Sequence, residues 1–417
     1  MPGNHPCSQE NNNNSRRHRT YIPKPPLSIK IRTQTMDLIA PATAEPEHFS
    51  PASQLSSVAA SLASLIRTSK HFIVYTGAGV STSAGIPDFR GPEGAWTKRA
   101  QGKELEFDGS KTLTAVPTAT HMALVALQEK GLLKYVVSQN CDGLHRRSGI
   151  LPDRISELHG NSNREYCKNC GKEYIRDFRA VSTYENSYSD HRTGRKCAVP
   201  GCNGALHDTI INFGEQLPKT AMTRATTHAK KADLCLVLGS SCRVSPANSI
   251  PECVGRSKKG NLAICNLQDT PLEDVADKEL RIYTRTDDLM TQIMANLGIF
   301  IPSFILRRRL IITIASQSSD RHQLTMTGVD VDDTPASFLR SVKVEGSRRA
   351  VRTEPFVLGI REELEEGAEV KVELEFMGHY GEPNVVVAHT YPGAAGGSNV
   401  YWLEYDVWTK AWEVKRV

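Results

Sequence analysis

The chain has 417 residues, 39% of them hydrophobic and 23% charged, which suits two or three domains with real cores. Its formal net charge of +5 fits acidic surroundings such as chromatin without showing nucleic-acid binding. No apolar run is long enough to span a bilayer, because Arg307, Arg308 and Arg309 break the nearest candidate, Ile301–Ile314. Ten unevenly placed cysteines and no secretory apolar region point to thiols in a reducing compartment, nucleus or cytosol, rather than to a disulfide scaffold.

Residues 1–50 are rich in Asn, Pro and Ser, include the run Asn11–Asn14, and show no period; they read as a disordered tail. The basic residues Arg16, Arg17, Arg19, Lys24, Lys30 and Arg32 face one acid, Glu10. A mitochondrial address in residues 1–35 therefore stays open, as does Met36 as the true start. Apolar steps of three and four from Leu55 to Ile66 predict a helix over Gln54–Thr68. His71–Tyr75 follows as a β-branched apolar run and predicts a buried parallel strand. Helices over Thr118–Lys130 and Asp287–Leu297 and strands over Tyr135–Val137, Asp233–Leu238 and Leu262–Asn266 continue the alternation. Such alternation predicts an α/β fold with a doubly wound, Rossmann-like parallel sheet over residues 51–300. The segment at about 161–210 interrupts it and reads as a small zinc-binding insert. Residues 301–320 read as a linker. Beyond them, His322–Thr327, Phe338–Val344, Glu369–Phe376, Val385–Thr390, Tyr401–Val407 and Ala411–Val417 predict a mostly antiparallel β domain over 321–417.

Four clusters carry chemistry. Thr76-Gly77-Ala78-Gly79-Val80-Ser81 follows the first strand; glycines there admit a pyrophosphate close to backbone amides. Thr82 stands where a third glycine is expected, and no acidic ribose partner lies at the usual distance downstream, so a plain tight turn competes. Cys167-x2-Cys170 and Cys197-x4-Cys202 form two pairs that read as a tetrahedral thiolate site for one structural zinc ion. Two disulfides or unrelated thiols compete with this reading. Four thiolates fill the shell, so His191 and His207 read as surface residues. Ser138-Gln139-Asn140-Cys141-Asp142-Gly143 lies at the carboxyl end of a strand, where ligands of α/β sheets bind. Its amides and carboxylate suit a carboxamide. His159, beside Gly160 and just before the insert, is a candidate general base, although a lone histidine is more often structural.

Together the residues resemble the sirtuin family. The resemblance is carried, in order, by Gly77-Ala78-Gly79-Val80-Ser81, Gly85-Ile86-Pro87-Asp88-Phe89-Arg90, Gln139-Asn140-Cys141-Asp142-Gly143-Leu144-His145, Leu158-His159-Gly160, the four cysteines, Phe213-Gly214-Glu215, Gly239-Ser240-Ser241 and Asn266-Leu267-Gln268. It spans about residues 70–290. Gly91-Pro92-Glu93-Gly94-Ala95-Trp96 and the short stretch to His121 are similar to the nuclear branch with a shortened cofactor loop.

The resemblance implies an NAD-dependent protein-lysine deacylase. NAD would lie with its pyrophosphate against Gly77, Ala78 and Gly79, helped by Arg90, Ser240 and Ser241, with Ser81, Asp88, Trp96, Gln139 and Gly239 completing the site. Asn266, Leu267 and Gln268 would hold the adenosine side. Asn140 and Asp142 would grip the nicotinamide carboxamide, and Phe89 would shield the ribose after nicotinamide leaves. The acyl oxygen would attack ribose C1′; His159 would take a proton from a ribose hydroxyl, giving O-acyl-ADP-ribose. The peptide would lie between the Phe213-Gly214-Glu215 loop and the Val244–Pro246 loop as an added strand. Ala95–Thr120 holds no tyrosine, which disfavours acidic acyl groups. Expected partners are acyl-lysine proteins such as histones, in a nuclear or cytoplasmic, chromatin-associated setting. The alternatives are protein mono-ADP-ribosyl transfer and a silent NAD- or ADP-ribose-binding chromatin scaffold.

Overall fold

The computed structural model describes residues 46–92, 94, 97–98, 101, 103, 111–182 and 189–417. Six parallel strands form the central sheet: β1 (Phe72–Thr76), β2 (Leu133–Ser138), β3 (Ile155–Glu157), β8 (Leu234–Leu238), β9 (Asn261–Cys265) and β10 (Arg281–Ile282), in the order β10-β9-β8-β1-β2-β3. β1 and β8 are buried along their whole length, which explains why FIVYT and LCLVL are apolar without alternation. Helices cover both faces. On one side α1 (Ala52–Thr68), α3 (Ala119–Glu129) and α7 (Thr286–Leu297) bury Leu62, Ile66, Leu124, Leu127, Leu289 and Ile293. On the other, α5 (Lys219–Lys231) and α6 (Ser249–Gly255) bury Ala225, Ala229, Ile250 and Val254. This is the expected doubly wound sheet.

Two further helices are short, α2 (Lys111–Thr114) and α4 (Leu144–Ser148). The insert folds as β4 (Arg164–Cys167), β5 (Glu173–Arg176), β6 (Arg192–Lys196) and β7 (Ala205–Asp208), joined antiparallel in the order β5-β4-β7-β6. Its apolar core is small: Tyr174 and Leu206 around Cys167 and Cys197.

The C-terminal part is two antiparallel sheets, apart from a short strand, β13 (Ala336–Ser337). One sheet holds β11 (Ile305–Ser318), β12 (Arg321–Val329), β15 (Phe356–Ile360), β18 (Gly397–Asp406) and β19 (Ala411–Arg416). The other holds β14 (Leu339–Val344), β16 (Glu369–Phe376) and β17 (Val385–Thr390). They share a core that includes Leu310, Ile312, Ile314, Val372, Leu374 and Phe376.

Two expectations need correction. Residues 301–320, read as a linker, are mostly β11, the longest strand among the described residues. Its apolar residues Leu306, Leu310, Ile312 and Ile314 do alternate, but the three arginines hid the period. Those arginines are paired: Arg307 with Glu404 at 2.9 Å, Arg308 with Asp177 at 2.9 Å and Arg309 with Asp333 at 2.6 Å. Residues 46–50, read as the end of a disordered tail, are tied to the sheet: His48 N–H donates to Leu267 O and Ser50 N–H to Tyr283 O, both at 2.8 Å. The rest of that tail lies outside the described residues.

The C-terminal β sheets are docked on the α/β part and its insert. β13 adds a parallel strand to the edge of the insert, pairing Ala336 with Ile175 and Ser337 with Arg176. The Tyr380 hydroxyl donates to Ala115 O at 2.8 Å and accepts from Arg147 at 3.1 Å. Met122 of α3 is buried with Phe304, Leu306, Tyr380, Tyr405 and Val407.

Candidate active site and zinc site

β1 has β2 on one side and β8 on the other, so chain direction across the sheet reverses there. Ligands of such sheets bind outside the carboxyl ends of the strands at that point. A crevice of about 570 Å³ opens there. The two loops that form its floor touch: Gly77 N–H donates to Leu238 O at 3.0 Å and Gly79 N–H to Gly239 O at 2.9 Å. A Cβ on Gly79 would come within 2.7 Å of the Gly239 backbone, so a side chain there would force the loops apart. After Gly77 the chain makes two 3₁₀ turns, Ala78–Val80 and Thr82–Ala84, where a dinucleotide fingerprint would open a long helix; this accounts for the missing third glycine.

Thirteen of the expected cofactor residues line the crevice: Gly77, Ala78, Gly79, Asp88, Phe89, Arg90, Gln139, Gly239, Ser240, Ser241, Asn266, Leu267 and Gln268. Arg90 Nη1 donates to Ser241 Oγ at 3.3 Å, and Gln268 Nε2 to Arg90 O at 3.4 Å. Phe89 is 51% exposed, an aromatic ring held at the mouth. Burial raises the Asp88 carboxyl above its ordinary value, against the lowering effect of the Gly91 N–H. Trp96 lies outside the described residues.

Beside the crevice, Ser81, Asn140 and Asp142 bind one another. The Ser81 hydroxyl donates to Asp142 Oδ2 at 2.7 Å, and Asn140 Nδ2 donates to Gly77 O at 3.0 Å and to Ser81 Oγ at 3.4 Å. Asp142 Oδ1 accepts from Leu144 N–H at 2.8 Å at the start of α4. Asp142 is buried. Each carboxylate oxygen still has a second lone pair.

His159 is half-buried, and its Nδ1 lies 3.0 Å from the Gln139 carbonyl. A carbonyl only accepts, so Nδ1 carries the proton and Nε2 holds the lone pair. Burial lowers the His159 pKa below its ordinary value, partly offset by the bond to Gln139. The ring is therefore neutral and basic at Nε2 at neutral pH. Gly160, at φ +82°, packs so closely on Thr209 that a Cβ would meet its carbonyl at 1.8 Å.

The four Sγ atoms of Cys167, Cys170, Cys197 and Cys202 all lie within 4.8 Å of one another. Cys167–Cys202 and Cys170–Cys197 are 3.5 and 3.6 Å apart. A tetrahedron with Zn–S bonds of about 2.3 Å has edges of about 3.8 Å, so the cluster fits a four-thiolate zinc ion with no vacancy. Disulfides are absent among these residues.

Sequence reasoning missed several lining residues, among them Glu47, Phe49, Arg285 and Asp287. Glu47 and Phe49 fall in the stretch read as tail, where isolated residues give no period to find. It also misplaced His191: its side chain is only 18% exposed and is held between two carboxylates.

Comparison with known proteins agrees with this geometry. The profile of the Sir2 family matches residues 106–246. The chain is 40% identical over 308 residues to the NAD-dependent protein deacetylase SRT1 of Arabidopsis thaliana, covering 72% of this chain and 63% of that protein. It is 43% identical over 250 residues to the NAD-dependent protein deacetylase sirtuin-7 of Homo sapiens, covering 58% of this chain and 60% of that protein. It thus spans less than two thirds of the length of these two relatives. With the NAD-dependent protein deacetylase Sirt6 of Drosophila melanogaster it is 36% identical over 269 residues, 62% of this chain and 81% of that protein. By that identity and coverage, the chain belongs to the sirtuin family.

Proposed function

We propose that the chain is an NAD-dependent protein-lysine deacylase that releases nicotinamide and O-acyl-ADP-ribose. The observation that carries this reading is the tautomer of His159. A ring that donates from Nδ1 to the carbonyl of Gln139, itself a crevice residue, keeps a basic Nε2. NAD as substrate supplies an electrophilic ribose carbon and a nicotinamide leaving group. The residues do the rest. The backbone of Gly77–Gly79 and the side chains of Arg90, Ser240 and Ser241 receive the pyrophosphate, and Asn266–Gln268 the adenosine. Asp142 accepts from the carboxamide NH₂ with the lone pairs left by Ser81 and Leu144, while Asn140 orients the group. Phe89 keeps water from the ribose once nicotinamide has gone. His159 Nε2 takes the proton of the ribose hydroxyl that attacks the acyl carbon.

The chemistry belongs to residues 51–300, with Glu47 and Phe49 just before them at the crevice and the insert at about 161–210 held by one structural zinc ion. Substrates are acyl-lysine proteins with neutral acyl groups. Histones are the class we favour, in the nucleus, where a net charge of +5 suits the acidic surroundings of chromatin. No described helix is long and apolar enough to cross a membrane. Incubation of the full chain with an acetylated histone peptide tests the reading. Loss of the acetyl group only when NAD is present supports it. No loss, or ADP-ribose attached to protein as the main product, sinks it in favour of a silent scaffold or a transferase.

A further inference from the structure

The imidazole of His191, just ahead of β6, lies between two carboxylates from different segments. Its Nδ1 is 2.8 Å from Asp208 Oδ1, and its Nε2 is 2.9 Å from Glu215 Oε1. A neutral imidazole has one N–H, an imidazolium two, and a carboxylate only accepts. Both contacts are hydrogen bonds at once only when the ring is charged.

The two carboxylates are themselves anchored. The Asp208 side chain is fully buried; its Oδ2 accepts from Ser182 N–H at 2.6 Å and its Oδ1 also from Ile210 N–H at 3.1 Å. Glu215 Oε2 accepts from Asn212 N–H at 2.7 Å, closing the turn that Glu215 N–H makes to Asn212 O at 3.1 Å. Phe213 and Gly214 are the tip of that turn. The same stretch reaches the base, because Ile211 N–H donates to His159 O at 3.1 Å. One ring thus ties the edge of the insert to the turn offered to the peptide and to the backbone of His159. Among the described residues, the titratable and charged groups beside it also include His207 on β7, whose pKa burial lowers, and the adjacent pair Asp190 and Arg192, joined to each other at 2.8 Å.

We propose that His191 is a positioning residue: as an imidazolium bridging Asp208 and Glu215, it holds the Phe213-Gly214 turn in the geometry that receives the substrate peptide. This rests on the deacylase reading. It adds a pH dependence with a definite sign. Burial alone lowers the His191 pKa, but the bonds to Glu215 and Asp208 outweigh it and raise it. A raised histidine pKa stabilises the folded turn below the ordinary value near 6.5, and that contribution is lost as pH rises through the raised value. The peptide site loosens on the alkaline side.

The test uses the full, zinc-loaded chain with His191→Ala and, to keep the ring's volume filled, His191→Gln. KM for an acetyl-lysine peptide, KM for NAD, zinc content and hydrogen exchange at Ile210–Glu215 are followed from about pH 6 to 9. The peptide KM rises about tenfold in both variants, while the NAD KM and zinc content stay within about twofold. Exchange at Ile210–Glu215 quickens, and the alkaline rise of peptide KM seen in the native chain disappears. Unchanged peptide KM and exchange in both variants overturn the proposal. So does loss of zinc with equal damage to both KM values, which would make His191 a fold residue only. If the native chain shows no NAD-dependent deacylation, the deacylase reading fails instead, and the exchange data still decide whether His191 holds the turn.

Discussion

At the scale of single residues, the proposed function assigns His159 as the base and Asn140 with Asp142 as the carboxamide grip. His159→Ala removes the only proton acceptor assigned to the ribose hydroxyl. Turnover should fall about 10²–10⁴-fold, with ADP-ribose affinity measured by calorimetry nearly unchanged; near-native turnover would refute the role. The pH profile has a sign as well. Because burial lowers the His159 pKa, its lone pair is available through neutral pH and is lost only as pH falls through a value below the ordinary one. The acid limb of kcat/KM should therefore lie below 6.5 and vanish in His159→Ala. Asn140→Ala and Asp142→Ala should weaken nicotinamide inhibition and turnover more than ADP-ribose binding, since that ligand lacks the carboxamide. Equal losses would mean that the Ser81–Asn140–Asp142 trio only holds the Gly77 loop.

At the scale of elements, the insert and the C-terminal sheets lean on each other. Four thiolates leave zinc no open position, so the ion closes a module whose apolar core is little more than Tyr174 and Leu206. Cys170→Ser should lose zinc and activity together, as elemental analysis beside an assay would show; zinc that survives the change would contradict the ligand set. The C-terminal sheets carry no chemical motif, and a chain ending at Pro302 lacks them entirely. They are nevertheless packed on the rest of the chain: β13 extends the insert's sheet and Met122 is buried with Phe304 and Tyr405. Truncation should lower the melting temperature and raise the peptide KM. More narrowly, Tyr380→Phe strips a buried hydroxyl from Ala115 O and Arg147 and should cost about 1–3 kcal/mol in denaturant unfolding. An unchanged midpoint would show that the docking is not held there.

For the whole molecule, what could be read from sequence followed from local signals. Apolar runs ending in glycine marked β1 and β8, three- and four-residue steps marked α1 and α7, and the cysteine spacing marked the metal cluster. What could not be read depended on partners distant in the chain. β11 was hidden because its arginines find Asp177, Asp333 and Glu404 only after folding. Glu47 and Phe49 reach the crevice only because His48 and Ser50 pair with Leu267 and Tyr283. His191 gained its partners from two other segments. The proposed function turns on one step, acyl transfer to ADP-ribose. The direct measurement is the product balance, by mass spectrometry, after the full chain acts on an acetyl-lysine peptide with NAD. One nicotinamide and one O-acetyl-ADP-ribose for each acetyl group removed is the expected result; free acetate with NAD left intact would contradict it.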